Sequence, residues 1–169
     1  LGDVYKRQFL RRVFMKAKKL IIIGIIALGI WLFFTQVVNA YSLVYPESFY
    51  NSISWTWYYA DTATPTYNCL GFATGSRTWE WPSSFGSSSA TKAQVDSYLS
   101  TLGYRPSTYD PFILAYGENV NSITHFSKVT GLEWCRAKWG QLELFNHGSH
   151  DPYYHSSSYG ALQIKYTAN

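Results

Sequence analysis

Residues 123–139 decide the fold of this chain, and they read ITHFSKV (123–129), TG (130–131) and LEWCRAKW (132–139). The two longer runs carry the β-branched and aromatic residues that favour strands. The short Thr-Gly segment between them is typical of a tight hairpin turn. The stretch therefore predicts two antiparallel strands joined by a two-residue turn, with a histidine on the first strand.

Further strand-like runs surround this hairpin. They are Phe112–Tyr116, Gln141–Asn146 and Ala161–Tyr166. With the two strands of the hairpin, they predict an antiparallel sheet of about five strands in the second half of the chain.

Helical patterns precede the strands. Thr91 caps a run in which Val95, Tyr98, Leu99 and Leu102 fall on one helical face, and Gly103 closes it. A shorter run, Cys69 to Thr74, starts a second helix, and its small residues Gly71 and Ala73 permit close packing. Helices followed by an antiparallel sheet indicate an α+β fold rather than a doubly wound α/β fold.

The first forty residues have the layout of an export signal. Residues 1–14 are expected to be non-native, because LGDVYKRQ resembles a translated sequencing adaptor, or to lie upstream of a start at Met15. Residues 15–40 then give a basic stretch, an apolar run and Ala40 at a cleavage position. The alternative is an uncleaved membrane anchor over residues 20–38, which is just long enough to span a bilayer. Either way, we expect a secreted or extracytoplasmic single domain over residues 41–169.

The charge of the chain is unevenly distributed. Residues 1–40 carry seven Lys/Arg and one Asp, a net charge of +6, whereas residues 41–169 carry seven Lys/Arg and nine Asp/Glu, a net charge of −2. The overall net charge of +4 therefore belongs to the signal segment. A basic chain often binds nucleic acid, but here we expect no nucleic-acid partner, and membrane contact only through residues 20–38 if they are retained.

Cys69 is the candidate nucleophile. It opens a helix-like run, and all four histidines of the chain lie downstream of it. A thiol at a helix start and a histidine on a strand are the parts of a cysteine nucleophile and its base. His125 lies on the first hairpin strand, and a later strand ends in Asn146-His147, which could orient the base. Because these two neighbours face opposite ways, only one can serve, and we favour His147.

The second cysteine offers a competing explanation for Cys69. Two cysteines in an exported protein form a disulfide by default, so a Cys69–Cys135 bridge is an open alternative. If Thr130 and Gly131 are the whole turn, His125 faces Arg136 across the hairpin, and alternation puts Cys135 on the opposite face from His125. A register shifted by one residue would reverse this conclusion.

A metal site is a further alternative. His147, His150 and His155 lie close together with Asp151 in the segment HGSHDPYYH. Histidine and carboxylate are zinc ligands, but this spacing matches no specific zinc pattern. The chain also lacks P-loop, dinucleotide-binding, HExxH and CxxC motifs. We therefore expect neither a metal nor a cofactor.

The order of these motifs resembles the papain-like fold of NlpC-type cell-wall cysteine peptidases. The matching segments are NCLGFA (68–73), ITHFSKV-TG-LEW (123–134) and LELFNHG (142–148). The chain is also similar to an uncharacterised bacterial domain family over most of residues 65–166. The motifs of that second resemblance are Asn68-Cys69, Trp79-Glu80-Trp81-Pro82, Gly103-Tyr104, Thr124-His125, Lys138-Trp139-Gly140, His147 and Tyr159-Gly160.

These resemblances imply a papain-like domain with Cys69, His125 and His147 as catalytic residues. The NlpC type usually has Asp before the cysteine and Ser after it, where this chain has Asn68 and Leu70, so its substrate preference is not transferred. We expect a monomeric, exported amide hydrolase of peptides or cell-wall peptides, with Trp79, Trp81 and Asn68 binding substrate. The alternative is a non-catalytic extracellular binding domain, disulfide-bonded or an inactive papain-like scaffold, with an aromatic contact surface.

Overall fold

A seven-stranded antiparallel sheet is the centre of the described part of the chain, residues 41–169 of a computed structural model. The strands are β1 (Tyr58–Asp61), β2 (Tyr104–Pro106), β3 (Ile113–Gly117), β4 (Ile123–Val129), β5 (Cys135–Lys138), β6 (Leu144–His147) and β7 (Ala161–Ala168). Their spatial order is β1-β6-β5-β4-β3-β7-β2, and each pair of neighbours in that order is antiparallel. The α+β class is confirmed, but the expected count of about five strands is wrong.

The two unpredicted strands, β1 and β2, lie at the two edges of the sheet. β1 pairs with β6, and β2 pairs with β7. Both are short and contain no buried residue, so they show little of the apolar alternation that identifies a strand in sequence. Their partners lie more than fifty residues away along the chain, which explains why local pattern does not find them.

Three helices accompany the sheet within the described residues: α1 (Glu47–Ile53), α2 (Cys69–Thr74) and α3 (Lys92–Thr101). The predicted α2 and α3 are confirmed. The Thr91 hydroxyl accepts the Gln94 N–H, and the Gln94 side chain accepts the Thr91 N–H, which completes a capping box for α3. Gly71 lets α2 approach the loop that follows it, since a Cβ there would lie 1.9 Å from the Thr78 carbonyl oxygen.

The sheet separates two apolar clusters. One lies with α2 and α3 and includes Leu70, Val95, Leu99 and Phe126. The other lies with α1 and is largely aromatic; its members include Tyr50, Leu114, Tyr116, Trp139, Phe145 and Tyr153. The central strand β3 is buried throughout because it contributes alternate residues to both clusters.

The hairpin between β4 and β5 differs from its prediction. Val129 pairs with Cys135, so the connection is a five-residue loop over 130–134 rather than the two-residue Thr-Gly turn. The Thr130 and Gly131 amides both donate to the Trp134 carbonyl. Leu132, predicted to start a strand, is 96% exposed in this loop.

This change of register also reverses the predicted faces of the hairpin. With Val129 opposite Cys135, alternation puts Cys135 on the same face as Ser127 and His125. The Tyr116 hydroxyl confirms this face, because it contacts Ser127 at 2.8 Å and the Cys135 sulfur at 3.6 Å. The predicted placement of Cys135 on the opposite face from His125 is therefore wrong.

Several expectations concern residues 1–40, which lie outside the described part of the chain. They are the non-native segment 1–14, the signal or anchor segment 15–40 and the possible span 20–38. Residues 41–169 form one compact unit. Within that unit, no helix is long and apolar enough to cross a bilayer.

Candidate active site

A cavity of about 300 Å³ opens beside the start of α2. Five of the six residues predicted for the site line this cavity, and His147 does not. The lining residues are Asn68, Cys69, Trp79, Trp81, Ser87, Ser88, Thr124, His125, Gly140 and Tyr159. The start of helix α2, strand β4 and three loops thus bring together residues that are up to 91 positions apart in sequence.

Asn68 organises one wall of the cavity. Its side-chain oxygen accepts the Gly71 N–H at 3.0 Å, which caps α2, and also the Glu80 N–H at 3.2 Å. Its side-chain nitrogen donates to the Glu80 carbonyl at 2.7 Å. Glu80 stands between the two predicted tryptophans, so Asn68 fixes Trp79 and Trp81 beside Cys69. These internal hydrogen bonds give Asn68 a structural part in the wall of the cavity.

Cys69 begins α2, which packs against β4 and β5. The ladder between these strands comprises only the Lys128–Arg136 and Val129–Cys135 pairs. The Phe126 backbone N–H on β4 lies near enough to the Cys69 sulfur to favour its thiolate form. Burial raises the pKa of the Cys69 thiol to about 11, against the opposing effects of the Phe126, Leu70 and Cys69 N–H groups and the Lys138 charge. Cys69 is thus a neutral thiol at pH 7.

His125 is almost fully buried on β4, and its Nε2 atom has no hydrogen-bond partner. No other buried side-chain nitrogen or oxygen in residues 41–169 is left without a partner. Burial, followed by the influence of His147, lowers the pKa of His125 well below its usual value, so the ring is neutral at pH 7. No hydrogen bond joins His125 to the Cys69 sulfur among the described residues, although both line the cavity.

His147 is fully buried behind the site and has partners of its own. Its Nδ1 lies 2.6 Å from the Thr56 carbonyl, which can only accept, so Nδ1 carries the proton. Burial lowers the pKa of His147 to about 4, and the neutral ring therefore accepts at Nε2 from the Tyr153 hydroxyl, 2.9 Å away. With both nitrogens engaged, His147 makes no hydrogen bond to His125.

Cys135 is separated from the site. It is a free thiol, like Cys69, and it donates to the Ser149 carbonyl at 3.2 Å. Its side chain packs in the aromatic cluster of α1, whereas Cys69 packs in the other cluster. The structure therefore contains no Cys69–Cys135 disulfide.

The histidine-rich loop does not assemble into a ligand set in the structure. His150 contacts the Gly131 carbonyl through Nε2 at 3.2 Å, and the ring of His155 packs against Tyr154. Within residues 41–169, no group of three or more His, Cys, Asp or Glu side chains is arranged to hold a metal ion.

Tyr159, which lines the cavity, and Lys138, which lies near it, make contacts that the sequence did not indicate. The Tyr159 ring stacks on His125 with 3.8 Å between ring centroids. Lys138 is fully buried, and its ammonium group donates to the carbonyls of Gly140, at 2.8 Å, and of Leu142. Burial lowers the pKa of Lys138 to about 8. Both residues belong to the sequence motifs Tyr159-Gly160 and Lys138-Trp139-Gly140, but motif membership alone did not indicate these contacts.

Comparison with known proteins identifies a domain family without assigning an activity. A family model described as a domain of unknown function (DUF7689) matches residues 58–167. This match includes every residue that lines the cavity. No curated protein and no solved structure matches the chain.

Proposed function

Since the chain belongs to the DUF7689 family, a domain family of unknown function, we propose from the chemistry of its cavity that it is an exported cysteine-dependent amide hydrolase of papain-like architecture. The observation that carries this proposal is that the Cys69 thiol and the neutral imidazole of His125 line the same cavity. A neutral imidazole that shares a cavity with a thiol is suited to accept a proton during catalysis.

The resting charges favour general-base activation of the thiol. Because the pKa of Cys69 is raised and that of His125 is lowered, the two groups rest as thiol and neutral imidazole. In the proposed reaction, His125 accepts the thiol proton while the sulfur forms a bond to the amide carbon. The imidazolium then gives this proton to the leaving amine as the carbon–nitrogen bond breaks. Water hydrolyses the resulting thioester, which releases the acid and restores the thiol.

Backbone donors next to Cys69 suit the negative charge that develops on the carbonyl oxygen. The first N–H groups of a helix have no intrahelical acceptor, and those of Cys69 and Leu70 already act on the sulfur electrostatically. In the proposed mechanism they donate to the oxyanion as the sulfur attacks. The buried Lys138 ammonium adds positive potential near the sulfur without lining the cavity.

The lining of the cavity favours an uncharged substrate segment. The lining residues include two indole side chains, two serines and a threonine, and no Asp, Glu, Lys or Arg. The nearby Glu80 carboxylate is held by the hydroxyls of Thr74 and Tyr98, at 2.8 and 2.9 Å. A charged group would lose its hydration in such a cavity without gaining a partner. An exported location makes peptide amides, including those of cell-wall peptides, the substrate class to examine.

A pair of cysteine variants tests the proposal. Cys69→Ala and Cys135→Ala each remove one buried thiol, but only Cys69 lines the cavity. The full-length protein would be assayed against a panel of peptide amides and cell-wall stem peptides, with release of the amine as the measurement. We expect Cys69→Ala to reduce hydrolysis to background and Cys135→Ala to retain it. Hydrolysis that survives Cys69→Ala would refute the proposal.

A non-catalytic binding domain is the second candidate. It is favoured by the high pKa of Cys69 and by the missing thiol–imidazole hydrogen bond. Catalytic hydrogen bonds are often long before substrate binds, so this geometry alone does not decide between the two. If peptides from the panel bind to the wild type and to Cys69→Ala with equal affinity, and neither protein cleaves them, the binding function is supported.

A further inference from the structure

The orientation of His125 has no hydrogen-bonded support in the described residues. The expected orienting residue, His147, instead uses its two ring nitrogens on Thr56 and Tyr153. A base that must meet both a thiol and a leaving amine has to be held at a defined angle, since small misplacements are costly to catalysis. Some other contact must therefore hold the imidazole ring.

Aromatic contacts surround His125. Tyr159 stacks against its ring with 3.8 Å between centroids and only 10° between planes. Tyr153 meets the ring edge-on at 5.1 Å, with 86° between planes. Of the two, Tyr159 has the closer contact and also lines the cavity, whereas the Tyr153 hydroxyl is bonded to His147.

The backbone of Tyr159 is itself anchored. Its carbonyl accepts from the Thr124 hydroxyl, and its N–H donates to the Ser156 hydroxyl, both at 3.3 Å. The following residue, Gly160, has φ +72°, and a Cβ there would lie 2.3 Å from the carbonyl carbon and oxygen of Gly117. Only glycine permits both this conformation and this close approach. The Tyr159 backbone is therefore anchored to the end of β3 and the start of β4.

We propose that Tyr159 is the positioning residue of the site, and that its stacked ring takes the part expected of His147 by fixing the plane of the His125 imidazole. The effect of Tyr159 on catalysis rests on the proposed hydrolase function, whereas its effect on the orientation of the His125 imidazole can be measured independently. The aromatic ring of Tyr159, and not its hydroxyl, has this role, so phenylalanine at the same position should preserve it.

Nuclear magnetic resonance on the full chain tests the ring directly. A parallel ring at this distance shifts the carbon-bound imidazole protons of His125 upfield through its ring current. We expect the wild type and Tyr159→Phe to show this shift, and Tyr159→Leu to lose it. Tyr109→Leu is the control, because Tyr109 is 80% exposed and lies outside the cavity. An unchanged His125 spectrum in Tyr159→Leu would overturn the proposal.

Kinetics on the same variants test the consequence. We expect Tyr159→Leu to lower kcat by about 100-fold with little change in KM, as for a misplaced catalytic group, and Tyr159→Phe to retain most of kcat. If Tyr159→Leu does not fold, Tyr159→Met fills more of the space without a ring. Equal losses in the Phe and Leu variants would refute a role for the ring. If no protein hydrolyses amides but the spectrum changes as expected, the proposed function fails and the positioning role stands.

Discussion

The pKa values of Cys69 and His125 are shifted in opposite directions from their ordinary values. Burial raises the first to about 11 and lowers the second well below its usual value. A helix N-terminus or a nearby cation ordinarily lowers a thiol pKa, but here desolvation of Cys69 outweighs the surrounding N–H groups and the Lys138 charge. The site therefore holds no thiolate at rest, and in the proposed reaction the thiol proton must move as the sulfur attacks.

This charge state predicts how the Cys69 thiol reacts with iodoacetamide in the absence of substrate. Because only the thiolate reacts and its pKa is about 11, the rate should rise roughly tenfold per pH unit from pH 7 to 10. Labelling at each pH, followed by peptide mass spectrometry, gives the rate at Cys69. A rate that is already constant near pH 7 would indicate a thiolate–imidazolium pair and contradict a neutral thiol beside a neutral imidazole.

At the scale of elements, the N-terminal capping residues of α2 and α3 differ in their relation to the cavity. Asn68 caps α2 and also binds Glu80, whereas Thr91 caps α3 without touching the cavity. Both side chains accept a backbone N–H in the first turn of their helix, but only Asn68 also binds the Glu80 backbone beside the cavity. They therefore form a matched pair for separating stability from the construction of the site.

Replacing each cap by alanine should lower the free energy of unfolding by about 1 kcal/mol. Only Asn68→Ala should also impair hydrolysis or peptide binding, because it releases Trp79 and Trp81 from their place beside Cys69. Urea unfolding measures the first effect, and the peptide panel measures the second. Equal functional loss in Asn68→Ala and Thr91→Ala would show that Asn68 acts through stability alone.

Elements with local signals could be predicted from sequence, whereas those fixed by distant partners could not. The bounds of Cys69–Thr74 and Ile123–Val129 agree with expectation, because a cap and an apolar alternation are encoded within each segment. The edge strands β1 and β2 depend on pairing with β6 and β7. The Thr130-Gly131 signal also failed, since the paired strands close the loop further along, at Trp134.

The residues of the site also divide into those that the sequence identifies and those that only the tertiary fold reveals. Cys69 and His125 could be identified because thiols and imidazoles are rare, chemically distinctive groups in this chain, and the structure places both at one cavity. Tyr159 is one of fifteen tyrosines, so its type carries no such signal. Only the loop after β6 and the Gly160–Gly117 contact bring its ring to His125. His147 was an attractive candidate by type, but the tertiary fold supplies both its nitrogens with other partners.

For the whole molecule, the sheet and its aromatic cluster enclose two neutral histidines. His125 and His147 are both nearly free of solvent contact, and their aromatic neighbours are Tyr159, Tyr153, Tyr116 and Trp139. Burying a neutral imidazole costs little free energy, but protonating it in the core would place a positive charge where water cannot solvate it. The stability of the entire domain is thereby linked to pH.

Acid should therefore destabilise the fold before its carboxylates are fully protonated. The unfolded chain binds a proton at His147 below pH 6.5, but the folded protein does so only near pH 4. The unfolded state then holds more protons, so stability is complete above pH 6.5 and falls as pH drops toward 4, by roughly 3 kcal/mol for this group. His125 has a lowered pKa as well and adds in the same direction.

Urea unfolding of the wild type and of His147→Asn at pH 7.0, 5.5 and 4.5 measures this dependence. The asparagine amide can still donate to the Thr56 carbonyl but does not titrate, so the variant should be less stable at pH 7 and lose less stability on acidification. His155→Gln is the control, because its side chain is exposed and the variant keeps both buried histidines. Parallel pH curves for the wild type and His147→Asn would contradict a neutral, buried His147, and with it the hydrogen bond that Nε2 accepts from the Tyr153 hydroxyl.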